Sequence, residues 1–140
     1  MYGFPFEQLS AVSRSTLSIL VVVDDPGLRE TLAGHLRSRG CRVAAATDCL
    51  EGLKAILLSR FDAVVSSVVM LSDGGSWLWR EATALRPELV GRFIFCGATR
   101  LPDSFGGPVY SERFLSQPLD LSILWAEICA VTEQGQVEPS

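Results

Sequence analysis

Two adjacent acidic residues, Asp24 and Asp25, directly follow an apolar run and form the most chemically suggestive pair in the sequence. Residues 17–23 (LSILVVV) have the β-branched composition of a buried strand. Carboxylate oxygens at the end of such a strand are suitable ligands for Mg²⁺. The same side chains can instead cap the helix that Pro26 begins and interact with its dipole. The sequence therefore allows either a weak Mg²⁺ site at this pair or a helix cap.

A second apolar stretch, residues 61–69 (FDAVVSSVV), predicts another buried strand, whose end carries the small hydroxyl side chains of Ser66 and Ser67. Three shorter segments also have strand character: residues 41–46, 93–96 and 113–116. Asp62 stands at the start of its strand, far from the end that carries the hydroxyls.

Amphipathic helices separate these strands. The first runs from Pro26 towards Gly40, a capping box of Asp48 and Glu51 opens the second, the third covers residues 76–85, and Asp120 caps the last. The residues predicted to face the core recur at helical spacing: Leu28, Leu32, Leu36, Leu53, Ile56, Leu57, Leu78, Ala82, Leu85, Leu121, Leu124, Ile128 and Val131.

Alternating strands and helices predict an α/β fold built from parallel β–α units, with right-handed crossovers and helices on both faces of the sheet. Five units predict a flavodoxin-like sheet, whose usual strand order is 2-1-3-4-5 and whose function lies at the carboxyl ends of the strands. The segment 99–112 is rich in proline and glycine, so the fourth helix is expected to be short or irregular.

Length, net charge and cysteine content exclude several classes of function. The chain has 140 residues, enough for one domain, which we divide into an N-terminal arm (1–16), a domain (17–133) and a polar tail (134–140). A net charge of −4 argues against a nucleic-acid partner, and no apolar run is long enough to span a membrane. No signal peptide is expected. Four cysteines without a CxxC pair, and a single histidine, predict reduced thiols in a cytoplasmic protein without a zinc site.

Four stretches at the expected strand positions resemble the response-regulator receiver family: ILVVVDDPGLRETL, FDAVVSSVVM, FIFCGA and FLSQPLDL. The resemblance covers roughly residues 17–133. It implies the flavodoxin-like receiver fold and a phosphoryl transfer to an aspartate that ends the third strand. That chemistry also needs acids that hold Mg²⁺, a hydroxyl after the fourth strand and a lysine after the fifth.

The acid positions are altered in this sequence. Aligned without a gap, Val23 stands at the first acid, Asp24 at the second and Asp25 at the residue that follows. A gap of one residue would instead make Asp24 and Asp25 the acid pair. We prefer the ungapped alignment because it keeps PGLRE at its usual distance into the helix.

At each of the three remaining pocket positions, a different residue replaces the one that the resemblance leads us to expect. The phosphoacceptor position falls on Ser67, the hydroxyl position on Gly97 and the lysine position on Gln117. The aromatic switch position falls on Phe114. The resemblance therefore implies a degenerate receiver, or pseudo-receiver, with a vestigial phosphorylation pocket.

A receiver fold without phosphotransfer predicts a non-enzymatic interaction module of bacterial two-component signalling, with a kinase or output protein as its partner. Candidate interface residues are Trp77, Phe105 and Tyr110; Trp77 could equally cover a neighbouring loop.

Two other functions remain open. One is an atypical receiver that binds metal at Asp24 and Asp25 and is phosphorylated at Asp73 or Ser67. The other is a small-molecule-binding flavodoxin-like domain, which is disfavoured because no glycine-rich phosphate loop follows the first strand.

Overall fold

The protein is described by a computed structural model of residues 16–68, 75–96, 112–116 and 118–137, with side chains as far as residue 132. The predicted N-terminal arm (1–16) and the predicted irregular fourth-helix segment (99–112) lie outside the described residues except for their last residues, Thr16 and Glu112. No helix in these ranges is both long and apolar enough to cross a membrane.

Five strands form one sheet: β1 (Ser18–Val22), β2 (Arg42–Ala46), β3 (Ala63–Ser67), β4 (Phe93–Cys96) and β5 (Arg113–Leu115). All neighbouring strands are parallel and their order is β2-β1-β3-β4-β5. The predicted flavodoxin-like topology is therefore confirmed. β1 and β3 are central strands, which explains why both are continuous apolar runs.

The described residues contain four α-helices: α1 (Pro26–Ser38), α2 (Cys49–Leu58), α3 (Gly75–Leu85) and α4 (Leu121–Val137). A short 3₁₀ turn, Pro87–Leu89, follows α3. The last helix continues to Val137, into the segment that we predicted as a polar tail from residue 134.

The predicted helix caps are present. Asp25 accepts a hydrogen bond from the Leu28 N–H, at 2.8 Å. Asp48 accepts one from the Glu51 N–H at 2.8 Å, and the Glu51 carboxylate accepts one from the Thr47 N–H at 2.7 Å. Asp120 accepts from the hydroxyl and N–H of Ser122 and from the Ile123 N–H, and these bonds lower the pKa of its carboxyl. These caps fix where the helices leave the sheet.

Side chains on the two faces of the sheet form two cores. The α2–α3 core includes Leu20, Val22, Ile56, Leu78 and Phe95. The α1–α4 core includes Ile19, Val21, Val23, Leu32, Leu36, Leu124 and Ile128. The alternation along each strand thus supplies both cores.

Two residues predicted to face the core, Leu57 and Leu85, do not; each is 51% exposed. In α2 the helix approaches the sheet at Gly52, where a Cβ would lie 2.9 Å from a Val22 methyl carbon. This contact turns Cys49, Gly52 and Ile56 towards the sheet and leaves Leu57 outside. In α3 the buried face is Gly75, Leu78, Trp79 and Ala82, and Leu85 ends the helix beyond it.

Candidate functional site

The carboxyl ends of β1 and β3, two neighbouring interior strands, carry Val23 and Ser67. Val22 pairs with Ser66 across β1 and β3, so each of these residues stands one position further along its strand. The Val23 side chain is fully buried in the α1–α4 core, and its N–H donates to the Ala46 carbonyl at 3.1 Å. Ser67 is 7% exposed. Neither position supplies a carboxylate.

The turn after β1 is held by groups of the protein itself. Asp25 is exposed and caps α1, as described above. The Arg29 guanidinium donates to the carbonyl oxygens of Val23 and Asp24, at 2.8 and 3.3 Å. Asp24 is half-buried. The positive charge of Arg29 therefore lies close to the Asp24–Asp25 pair and partly offsets the negative charge of these two carboxylates.

The turn after β3 is tightly packed at its far end. The Ser66 hydroxyl donates to the Ser67 carbonyl at 2.9 Å, and the Gly75 N–H donates to the Val68 carbonyl at 3.0 Å. A Cβ on Gly75 would lie 2.5 Å from the Ser67 carbonyl oxygen. Only a residue without a side chain fits there, so α3 begins directly against the end of β3.

Phe114 in β5 belongs to an aromatic stack. Its ring centroid is 5.1 Å from that of Phe95, at an interplanar angle of 20°, and Phe95 in turn stacks on Phe93 at 5.5 Å. Phe114 is half-buried against the α2–α3 core. The aromatic side chain is thus packed inward.

The sequence was compared with protein families and with characterised proteins. No protein-family model matches the sequence. Over 127 residues the chain is 30% identical to the transcriptional regulatory protein GlrR of Escherichia coli strain K12, covering 89% of this chain and 28% of that protein. It is also 27% identical over 117 residues to the transcriptional regulatory protein RprY of Bacteroides fragilis strain YCH46, covering 82% of this chain and 49% of that protein. The chain thus spans half or less of the length of these relatives.

Solved structures with a similar fold are also receiver domains. The receiver domain of the hybrid histidine kinase CckA is 25% identical, with a TM-score of 0.68, covering 82% of this chain and 98% of that one. A CheY-like receiver domain protein from Methanospirillum hungatei JF-1 reaches a TM-score of 0.79 at 21% identity, covering 89% of this chain and 100% of that one. The chain contains a response-regulator receiver domain.

A buried carboxylate in this receiver domain was missed by sequence reasoning. Glu112, which directly precedes β5, is 5% exposed. Its two oxygens accept hydrogen bonds from the N–H groups of Gly91, at 2.7 Å, and Phe93, at 2.8 Å. These bonds fix the start of β5 against the start of β4. The residue stands in a polar stretch without periodicity, so no signal in the sequence distinguishes it.

The remaining predicted residues divide into described and undescribed ones. Trp77 is half-buried, and its side chain packs against the α2–α3 core. Its use as an interface anchor stays a prediction. Asp62 lies at the amino end of β3, where its carboxylate accepts from the Ser18 N–H at 2.8 Å, a structural role. Four predicted pocket or interface residues fall outside the described residues: Gly97, Phe105, Tyr110 and Gln117. Asp73, the alternative acceptor, also falls outside them.

Within the described ranges, no group of three or more histidine, cysteine, aspartate or glutamate side chains is arranged to hold a metal ion. The sequence allowed a weak Mg²⁺ site at Asp24 and Asp25 as the alternative to a helix cap, and this alternative stays untested. None of the four cysteines, all of which lie in the described ranges, forms a disulfide. Burial raises the pKa of Cys96, at the end of β4, to about 11.

Proposed function

We propose that this receiver domain works without phosphorylation, as a protein–protein interaction module of two-component signalling. The observation that carries the proposal is Ser67, a buried serine that ends β3 where the resemblance expects the phosphoacceptor aspartate. A serine hydroxyl cannot form an acyl phosphate. It also brings no negative charge with which to hold a divalent cation.

The neighbouring strand supports the same proposal. The fully buried Val23 has no oxygen to offer a metal ion or its bound water. The Asp25 carboxylate accepts a hydrogen bond from the first turn of α1. The Arg29 guanidinium donates hydrogen bonds to the backbone carbonyls of Val23 and Asp24. The turn after β1 is therefore ordered by the protein's own hydrogen bonds. A bound cation is not needed to hold it.

The nature of the partner is inferred from the relatives. Those relatives are transcriptional regulatory proteins, and a structural neighbour belongs to a hybrid histidine kinase. We infer a signalling protein as partner, either a kinase or an output protein. On the β5 side of the domain, Phe114 stacks on Phe95 and packs against the α2–α3 core.

Phosphoryl acceptance is the direct test. The chain is incubated with acetyl phosphate and Mg²⁺, and its intact mass is measured while an active receiver domain is treated in parallel. We expect no phosphoryl adduct on this chain. An amide NMR titration with Mg²⁺ and then beryllofluoride is expected to leave the signals of Asp24 and Ser67 unshifted.

A phosphoryl adduct would contradict the proposal, and its position would identify the alternative. An adduct mapped to Ser67, or lost in an Asp73→Asn variant, would make the domain an atypical receiver. Saturable beryllofluoride shifts that reach Phe114 would mean that the switch is intact. Binding to a kinase or output protein, measured by calorimetry, is expected to be unchanged by the phosphodonor.

A further inference from the structure

Arginines recur at the starts of the strands. Because all five strands run in the same direction, their starts meet at one edge of the sheet, opposite the edge that carries Val23 and Ser67. An arginine stands at or shortly before the start of four of them: Arg42 in β2, Arg60 before β3, Arg92 before β4 and Arg113 in β5. The fold therefore concentrates positive charge at the amino edge of the sheet, in a chain whose net charge is −4.

Two open depressions adjoin along this amino edge, and both are lined by Ser18, Arg60 and Phe61. One of them continues to Arg42 at the start of β2. The other continues to Arg92, which directly precedes β4. Together they form one groove, which we call the amino-edge groove, across the starts of β2, β1, β3 and β4. It has an arginine at each end and a third in the part that the two depressions share.

The arginines of the amino-edge groove are not held in strong ion pairs. Arg42 is exposed, and no group in the described part of the chain pairs with its guanidinium. The Arg92 guanidinium donates to the Asp62 carbonyl oxygen at 3.1 Å, which leaves its charge uncompensated. Arg60 faces Glu88 at 3.8 Å, but the two side chains are 80% and 50% exposed, and such surface pairs contribute little. A carboxylate from another molecule can therefore replace Glu88 at Arg60.

The floor of the groove determines which kind of anion fits it. Phe61 is half-buried against the α2–α3 core, and its remaining surface lines the groove. The Asp62 carboxylate accepts from the Ser18 N–H at 2.8 Å and adds a negative charge beside the arginines, which disfavours a dense polyanion such as nucleic acid. A bilayer would need protruding apolar side chains, whereas this surface is concave. The groove fits a chain segment whose carboxylates flank an apolar side chain.

We propose that the amino-edge groove is a docking site for an acidic segment of a partner protein, whose carboxylates pair with Arg42, Arg60 and Arg92. An apolar side chain of that segment rests on Phe61. Arginine suits this role because its planar guanidinium offers two parallel donors to one carboxylate, and clusters of arginines recognise acidic motifs. The groove lies at the opposite edge from Ser67, so the proposal holds whether or not the domain is phosphorylated.

Fluorescence anisotropy with a labelled probe peptide tests the groove on the full 140-residue chain. In the probe, glutamates flank a pair of leucines; the matched control peptide has glutamine in place of every glutamate. We expect the chain to bind the glutamate peptide, to ignore the glutamine peptide, and to lose most of its affinity between about 20 and about 200 mM salt. Amide NMR shifts on binding should map to Ser18, Ser59 and Phe61, and should leave Asp24 and Ser67 unchanged.

Charge reversal tests the arginines themselves. Arg42→Glu and Arg60→Glu alter exposed side chains, and each should weaken peptide binding about tenfold. Arg80→Glu is the matched control, because Arg80 is exposed on α3 and does not line the groove; it should change the affinity less than about twofold. Circular dichroism checks each fold, and if a variant is unfolded the NMR map of the parent chain decides.

Three results would overturn the proposal. The first is a parent chain that does not bind the glutamate peptide, or that binds it with shifts at the carboxyl edge of the sheet. The second is equal weakening by Arg80→Glu and the two groove variants, which would mean attraction to net charge alone. The third is sedimentation with phosphatidylserine vesicles that the glutamate peptide does not compete away, which would make the surface a membrane contact.

Discussion

Replacing Glu112 by alanine tests whether a buried carboxylate holds the end of the sheet together. The carboxylate is 5% exposed and accepts hydrogen bonds from the N–H groups of Gly91 and Phe93. β5 is only three residues long, Arg113–Leu115, so its own ladder with β4 is short. We expect Glu112→Ala to weaken the attachment of β5, and with it the packing of Phe114.

The size of the effect follows from which donors lose their partner. Phe93 is fully buried, and leaving its N–H unsatisfied should cost about 1–3 kcal/mol. Gly91 is half-buried, so water can replace part of the lost bond and the added cost is smaller, about 1 kcal/mol. The free energy of unfolding should therefore fall by about 2–4 kcal/mol, a large share of the about 5–15 kcal/mol typical of a domain.

Urea denaturation followed by circular dichroism measures this change, with tryptophan fluorescence as a second probe. Glu81→Ala is the matched control, because it removes an exposed carboxylate from α3 and should change stability by less than about 0.5 kcal/mol. Glu112→Gln keeps one accepting oxygen and should fall between the parent and Glu112→Ala. Equal stability of Glu112→Ala and Glu81→Ala would refute the assigned role of the carboxylate.

Three further changes test the turns and the core. Gly75→Ala places a Cβ 2.5 Å from the Ser67 carbonyl oxygen and should lower the melting temperature, at a cost of about 1–3 kcal/mol, whereas Gly34→Ala meets nothing within 4 Å and should be neutral or stabilising. Asp48→Ala removes the cap of α2 and should cost about 0.5–2 kcal/mol in urea denaturation, while Asp48→Asn keeps an accepting oxygen and should cost less. Burial raises the pKa of Cys96 from 9.0 to about 11, so its contribution to stability is complete below pH 9.0 and is lost as the pH rises towards 11. The parent chain should therefore lose stability more steeply than Cys96→Ala over that window; parallel curves would contradict the assignment.

The topology was predictable because it depends on patterns that dominate the sequence. Continuous β-branched runs predict central parallel strands, and the structure places β1 and β3 in the middle of the sheet. The caps at Asp25 and Asp48 were predictable for a similar reason, since a short acceptor before a helix satisfies N–H groups that have no other partner.

The error at Leu57 arises where a close contact overrides periodicity, whereas Leu85 ends its helix beyond the buried face. The sequence pattern of α2 placed Leu57 on the apolar face with Leu53 and Ile56, because hydrophobicity favours a leucine. The structure selects Gly52 because the absence of a side chain lets α2 approach Val22 more closely than any other residue would allow. The preference for Gly52 arises only when α2 packs against β1, so the sequence of neither element alone reveals it.

The site was only partly predictable, for a different physical reason. The positions of Val23 and Ser67 at the carboxyl ends of their strands could be predicted, because register in a parallel sheet is regular. The donors that surround them could not: Arg29 reaches back to the carbonyl oxygens of Val23 and Asp24 through a long side chain whose direction no pattern specifies. Glu112 was missed for the same reason, since its role depends on two N–H groups about twenty residues away in sequence.

The surroundings of Val23 explain why an apolar side chain stabilises the domain at this position. A fully buried valine in the α1–α4 core contributes about 1.5–3 kcal/mol of hydrophobic stabilisation. An aspartate turned into the same environment would have to be desolvated, which is costly for a carboxylate that no cation or hydrogen bond compensates. The Arg29 guanidinium is already bonded to backbone oxygens and is not free to compensate it. Phosphotransfer chemistry needs charges at the edge of the sheet, and this chain has an apolar and a neutral side chain there, at Val23 and Ser67. These two side chains support the function that we propose, a receiver domain that works without phosphorylation.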